Sequence, residues 1–547
     1  MFLGVNLRTT MIDDRVCEIY FPVKILYLDG NFENLENFMS VEDLQIGLAE
    51  RSTVMIHAPA QIIFDFGQEL HGGVRILSQF IEGGSTTLKI SAGESVSECC
   101  ASLGELGACN DHSIHYLETH LTFLSDTTFL QTGFRFVRLE FPEKKDIILK
   151  AVVAVNIIRK LSPSGSFICN DDRVNEIFAV ASRTLMLNMQ DYLWDGIKRD
   201  RLVWIGDMHP ETLGIINLFG ADPCVEKSLR YIQRNTPEGS WMNNVPTYNA
   251  WWLIIVADYY LQNANECFLE EMRGPIKAIF SSIYDLIEEN GDIHITEQFL
   301  FDWPSHGSDD EEEGIRSLFY LAALRSRYLF KMLGEDTACC EKMLHMLSKT
   351  GKQIKQFKQC EAFAVYSGRR DAQTAYPFLV KDGVSGFSTF MSYYVLQTIL
   401  DSGHPDKALD LMKQFYGGML DLGATTFWEE FDLQEMKGCV PIDEYPVGGK
   451  KNAHGSFGQH CYIGYRRSLC HGWACGPIPF LIQGILGIKV LEKGCSKVRI
   501  SPVSAGLEWY EISYPTPKGI INVSFKNNKF DCSVPKGVQV VKTGGER

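Results

Sequence analysis

From residue 53 to about 158 the chain sets short apolar or alternating runs between glycine breaks, as in 61–67 (QIIFDFG), 73–80 (GVRILSQF), 86–93 (TTLKISAG) and 134–141 (FRFVRLEF). Alternation over runs of this length puts every second side chain on one face of a pleated strand, and the pattern predicts a β-sandwich. The stretch 161–166 (LSPSGS) concentrates residues that break regular structure and marks a domain boundary. Beyond it the period changes. Segment 170–193 opens on capping-type Asn and Asp and then repeats apolar residues at spacings of three and four over more than five turns, which predicts a helix. The same signature returns in 250–262, 272–289, 315–333, 390–400, 405–416 and 477–486. Successive helices that are apolar on more than one side suit a closed double ring, so the middle of the chain is expected to be an α/α toroid. After residue 487 strands return in 497–503, 509–516, 519–525 and 530–535. The prediction is a multidomain, mainly α chain: an N-terminal β-sandwich region (1–165), the helical barrel (166–487) and a small C-terminal β-domain (488–547).

Composition narrows the function. With 547 residues, 45% hydrophobic and 22% charged, the chain has enough apolar surface for two to four folded domains. A net charge of -16 repels phosphate backbones, and no Lys/Arg stripe interleaved with aromatics offsets it, so nucleic acid is not an expected partner. No run approaches 18 apolar residues, and residues 1–14 lack a signal-peptide pattern; the expected setting is cytoplasmic, without a membrane. The 16 cysteines include the neighbours Cys99–Cys100 and Cys339–Cys340 and no CxxC pair, and are read as reduced, buried thiols. Phosphate loops, GxSxG elbows and His/Cys metal clusters are missing from the sequence, and neither a cofactor nor a metal is expected. The oligomeric state, a homo-oligomer included, stays open.

Three loop segments of the helical region combine acids with aromatics. The first, 195–211 (DGIKRDRLVWIGDMHPE), holds Asp195, Asp200, Asp207 and Glu211 around Trp204. On one continuous helix Asp195 would point about 140° away from Asp200, whereas Gly196 and Pro210 favour a loop in which the acids converge. The plainer reading pairs Arg199 and Arg201 with these carboxylates on a solvated surface. The second, 423–432 (GATTFWEEFD), holds Glu429 and Glu430. In the third, 301–314 (FDWPSHGSDDEEEG), Asp309–Glu313 read as a solvated face, while Asp302 beside Trp303 suits a sugar, whose hydroxyls meet carboxylates and whose C–H faces meet aromatic rings. Among the other tryptophans, Trp241, Trp251 and Trp252 are weighed against Trp473, and Trp303 and Trp473 are preferred as pocket walls. Glycoside hydrolysis needs an acid to protonate the leaving oxygen and a second carboxylate to activate water or attack, which two acidic clusters more than 200 residues apart are able to supply.

The spacing Asp195-x4-Asp-x3-Trp-x2-Asp, with 423–429 (GATTFWE) downstream, resembles glycoside hydrolase family 78, the α-L-rhamnosidases. The likeness extends to 64–76, 93–95 (GES), 132–139 and 468–477 (SLCHGWACGP), and spans about 60 to 520. The resemblance implies an (α/α)6 barrel flanked by β-sandwiches and an inverting hydrolase acting on a small-molecule carbohydrate. It assigns sugar hydroxyls to Asp195 and Asp207, ring packing to Trp204, sugar binding to His471 and the general base to Glu429. The family's general acid is a Glu where this chain has Asp200, one methylene shorter, and its Cys-Pro after the first Asp is Gly196-Ile197 here. A misplacement of about 1 Å costs on the order of 100-fold in rate. Asp200 in a reset loop, Glu211 or another carboxylate as replacement acid, and a protein that binds sugar without cleaving it therefore all stay open. A different sugar on the same fold is the rival enzymatic reading.

Overall fold

The computed structural model describes residues 13–49, 51–349, 351–460 and 463–542. Its N-terminal region is built from β1 (Arg15–Tyr20), β2 (Lys24–Glu33), β3 (Val54–Ile81), β4 (Ser85–Gly93), β5 (Tyr116–Thr122), β6 (Ser125–Phe141) and β7 (Asp146–Arg159). The expected layers are not separate sheets: the strands hydrogen-bond in one network of order β1-β7-β3-β6-β4-β5, with β2 also on β3. The 28-residue β3 makes this possible by breaking register with β6 between Asp65 and Leu70, beside Gly67 at φ 80. Alternation was visible along each run, but a break inside a single strand has no period. The inward residues Val54, Ile56, Phe64, Val74, Val137, Leu139 and Val152 form one core.

The segment read as a linker docks instead of swinging free. Ser164 and Gly165 donate their backbone N–H groups to the Leu218 carbonyl, and a Cβ on Gly165 would lie 1.8 Å from the Asn217 carbonyl oxygen. Because backbone must move to relieve that clash, Gly165→Ala is expected to cost about 1–3 kcal/mol, seen as a lower urea midpoint at unchanged m-value.

The helices follow the predicted period. Helix Asp172–Asn188 is capped by Asp171, whose carboxylate accepts from the Arg173 and Val174 N–H groups. Pro246–Asn263 is buried almost all round, Trp251 and Trp252 included, so both of these candidate sugar platforms are core. Asp309–Leu333 begins at Ser308, which accepts from the Glu311 N–H, and ends at Gly334 in the left-handed region. Its acidic start is not the solvated face expected from the charge run. Asp310 accepts backbone N–H groups from Lys355, Gln356 and Phe357, and Glu311 those of Phe301 and Gly307; Glu313 pairs with Arg369. Unpaired amides of nearby loops attracted charges that sequence alone would leave in water.

The C-terminal strands are β9 (Lys489–Glu492), β10 (Lys497–Ile500), β11 (Trp509–Thr516), β12 (Gly519–Lys526), β13 (Lys529–Ser533) and β14 (Gln539–Lys542). Strand β8 (Ser166–Cys169), which precedes the helices in sequence, joins them by pairing with β11. Tyr510, Ile512, Tyr514 and Val523 share a single core with Val174, Ile177 and Trp251, so these strands are a layer on the helices. No described helix is long and apolar enough to cross a membrane, and the described cysteines are free thiols.

Candidate active site

Segments 195–196, 427–429 and 468–472 meet by backbone hydrogen bonds. Gly196 bridges to His471, Gly472 donates its N–H to the Asp195 carbonyl at 2.7 Å, His471 to that of Phe427 at 3.0 Å and Glu429 to that of Ser468 at 3.0 Å. Segments some 230 and 40 residues apart thereby lie side by side, and their side chains converge.

The loop after helix Asp172–Asn188 is closed on itself: Asp195 donates its N–H to the Leu202 carbonyl and accepts the Leu202 N–H on Oδ1 at 2.9 Å. Its tip holds Asp200 and Arg201 at φ 54 and 53, two consecutive left-handed non-glycine residues that cost of order 1–3 kcal/mol each. Asp207 ends the loop at the start of helix Met208–Phe219. Pro210, taken from sequence as a loop signal, sits in the first turn of that helix, where its missing N–H is not needed.

Arg199 organises the carboxylates. Its Nη2 donates to both oxygens of Glu429, at 2.8 and 2.7 Å, its Nη1 lies 3.2 Å from Asp200 Oδ1, and its Nε donates to the Arg466 carbonyl. The arginine that the plainer reading placed on a solvated surface is thus buried between the two acids. Glu429 also accepts the Ser468 N–H at 2.9 Å, while its carbonyl is held by Thr389 Oγ1 and by Trp473 Nε1 at 3.0 Å. Burial raises the Glu429 pKa, but Arg199, His471 and the Ser468 N–H outweigh it and keep the carboxyl below its ordinary value.

Behind Glu429, the His471 ring lies 3.9 Å from Glu429 and Asp195 and 3.7 Å from Asp207, too far for direct hydrogen bonds. Burial drives the imidazole down to about 4, against the pull of Glu429. Burial, joined by Asp207 and Asp200, pushes Asp195 well above the usual carboxylate range, and burial and Glu429 do the same for Asp207. Trp204 stands half-buried, edge-on to Tyr248.

On the other side of Glu429 opens a cleft walled by Asp302, Trp303, Phe390, Glu429, Glu430 and Trp473 among others. Trp473 stacks on Phe390 at 5.1 Å and touches His471 at 4.3 Å, so it joins the cleft to the buried cluster. Asp302 accepts from Ser388 Oγ at 2.7 Å, and burial lifts its pKa to about 7; burial also lifts Glu430 to about 7. Asp302, Trp303, Glu429 and Trp473 therefore share one cleft, whereas Asp195, Asp200, Trp204, Asp207 and His471 lie outside its walls. Glu211 is fully buried behind them with neither carboxylate oxygen hydrogen-bonded within the described residues. Burial, joined by Asp207 and Asp195, pushes its pKa well above the usual carboxylate range.

Raised acids bind protons more strongly folded than unfolded, so their contribution to stability is lost as pH rises from about 4 through their folded values near 7. With Asp302, Glu430 and Glu94 all at about 7, the melting temperature is expected to be higher at pH 5 than at pH 8. Equal melting temperatures at the two values would contradict these environments.

Sequence reasoning passed over the support beneath this site. Lys198 places its ammonium 2.9 Å from Glu94, 3.1 Å from Glu98 and on the carbonyls of Tyr465 and Arg467. Among the described residues only Glu94, Glu98 and His454 have the spacing of a metal site, but Lys198 already sits as the cation of both carboxylates. Glu94 further accepts the Leu469 N–H at 2.7 Å, tying the N-terminal sheet to the His471 segment. Its only signal was the GES triplet.

Residues 162–341 match the model of the bacterial alpha-L-rhamnosidase 6 hairpin glycosidase domain. No curated protein matches the chain in sequence. Among solved structures, the rhamnosidase of Bacillus sp. GL1, of family GH78, is 19% identical over 93% of this chain and 55% of its own, with a TM-score of 0.72. The rhamnosidase from Klebsiella oxytoca with rhamnose bound is 16% identical over 86% of this chain and 96% of its own, at 0.66. The alfa-L-rhamnosidase from Aspergillus terreus is 15% identical over 90% and 60%, at 0.69. The chain thus spans about half the length of the Bacillus rhamnosidase, and shares a fold with these rhamnosidases well beyond the segment the family model matches.

Proposed function

We propose that this chain is an inverting glycoside hydrolase that releases terminal α-L-rhamnose from small glycosides or oligosaccharides, with its helices closing into the (α/α)6 ring of the rhamnosidases. The observation that carries this reading is the pair of acids on one guanidinium: Glu429 on Nη2 and Asp200 on Nη1 of Arg199. Through one planar group their nearest oxygens lie within about 8 Å, compatible with the roughly 6.5–9.5 Å separation that leaves room for the attacking water of an inverting pair. Glu429, kept ionised by its neighbours, is the base; Asp200 is the acid. Asp195, Asp207 and His471, spaced too widely to bond one another, offer acceptors and donors to the sugar hydroxyls. Asp302, Trp303 and Trp473 bind the sugar and what is attached to it.

The test is hydrolysis of p-nitrophenyl α-L-rhamnopyranoside beside a panel of other α- and β-glycosides, with the first-formed anomer read by NMR. Rhamnose released as the β-anomer supports the assignment. Retention of configuration removes the base role of Glu429, and cleavage of a different glycoside alone moves the specificity to another sugar. Binding of rhamnose with every glycoside left intact identifies a non-catalytic relative.

Because Glu429 is ionised well into the acid range while Asp302 and Glu430 lose protons near 7, activity is expected to peak between about pH 5 and 7. A rate still climbing above pH 8 would separate turnover from the protonation of Asp302 and Glu430.

A further inference from the structure

Asp200 does not stand alone. His112, on the loop that precedes β5 in the N-terminal region, reaches across to it: Nδ1 lies 2.6 Å from Asp200 Oδ1 and accepts the Asp200 backbone N–H at 3.2 Å. Arg201 fastens the two loops together, donating from Nη2 to the His112 carbonyl at 2.6 Å and from Nη1 to that of Gln131 at 3.3 Å. The histidine side chain is 38% exposed and that of Asp200 is 6%, so the imidazole stands between the acid and solvent.

The two contacts constrain the direction of the carboxyl. One ring nitrogen sits against both the backbone N–H and the Oδ1 of the same residue, so the Asp200 side chain cannot turn without leaving its seat on Nδ1. The geometry points to His112 as a positioning residue for the general acid: an Asp200–His112 contact that fixes the direction of the carboxyl, making up for the methylene that Asp lacks relative to Glu. This rests on the hydrolytic reading above.

In a turnover Asp200 gives its proton to the departing glycosidic oxygen as the C–O bond breaks, and Glu429 takes one from the water that forms the new bond. Asp200 then regains a proton through the exposed imidazole, and Glu429 returns one to solvent, so protons balance. The charges facing the pair are Arg199 on Asp200, Arg201 on the His112 carbonyl, and Asp111 next in sequence, which is paired with Arg466.

The experiment compares methyl and p-nitrophenyl α-L-rhamnosides, since protonation of the leaving oxygen matters for methoxide and little for nitrophenolate. His112→Gln is expected to lower kcat on the methyl glycoside by about 10- to 100-fold and on the nitrophenyl glycoside by less than about 3-fold, with KM unchanged in both. His112→Asn, whose amide reaches as far as Nδ1, should recover part of the loss. In an Asp200→Asn background, His112→Gln should add nothing on the methyl substrate. Equal losses on both substrates, no loss on either, or a full additive loss without Asp200 each overturn the pairing. A wild-type protein inert on every glycoside instead removes the hydrolytic reading on which it stands, and because the diagnostic is a ratio between two substrates, partial unfolding of a variant does not imitate it.

Discussion

Glu429→Gln is expected to lower kcat on every rhamnoside, activated or not, by about 10²- to 10⁴-fold, with a much smaller change in KM. The amide keeps the shape of the side chain, and its one oxygen, in the place of Oε2, can still accept from Arg199 Nη2 and the Ser468 N–H, losing only the second Arg199 contact on Oε1, so loss of packing is not the cause. What disappears is the capacity to take a proton from water. The uniform loss separates the base from the acid, whose removal is felt chiefly with poor leaving groups. A variant with less than a tenfold loss in kcat would take the base away from Glu429 and move attention to Glu430, which lines the same cleft.

Lys198→Met is expected to be the largest single blow to stability, about 3–5 kcal/mol, because removing one partner of a buried ionic cluster strands the others. Glu94 and Glu98 would then face each other without the ammonium that now lies within 3.1 Å of both, and the Tyr465 and Arg467 carbonyls would lose their donor. Glu94 is already lifted to about 7, chiefly by burial and against the pull of Lys198; without the lysine it rises further. The loss should therefore be greater at pH 8 than at pH 5, where Glu94 takes up a proton. Urea unfolding at the two values checks this. An equal loss at both would mean that packing of the lysine stem, rather than charge, is what the substitution removes.

Much of this protein is legible in local pattern. Alternation in 134–141 and 86–93 does mark strands β6 and β4, and three-and-four spacing in 250–262 and 315–333 does mark helices, because these periods follow from backbone geometry that needs no partner. The motif 423–429 and the run from Asp195 to Asp207 likewise singled out segments that the fold brings together. Trp303 and Trp473 line the cleft while Trp251 and Trp252 are core for a local reason: the latter pair lie in a helix apolar on all sides.

The tertiary structure decided everything that depends on a partner distant in sequence. Whether the Asp309–Glu313 run met water or orphaned amides was set by the loop at 355–357, which no charge count contains. Arg199 looked like a surface cation in the chain and became the buried link between Asp200 and Glu429. The residue beside Asp200 came from a loop of the N-terminal region, 88 positions earlier in the chain. Periodicity records which face of an element is apolar; it carries no information on which buried charge will find which counter-charge, since that choice is made by desolvation and distance once the loops have closed.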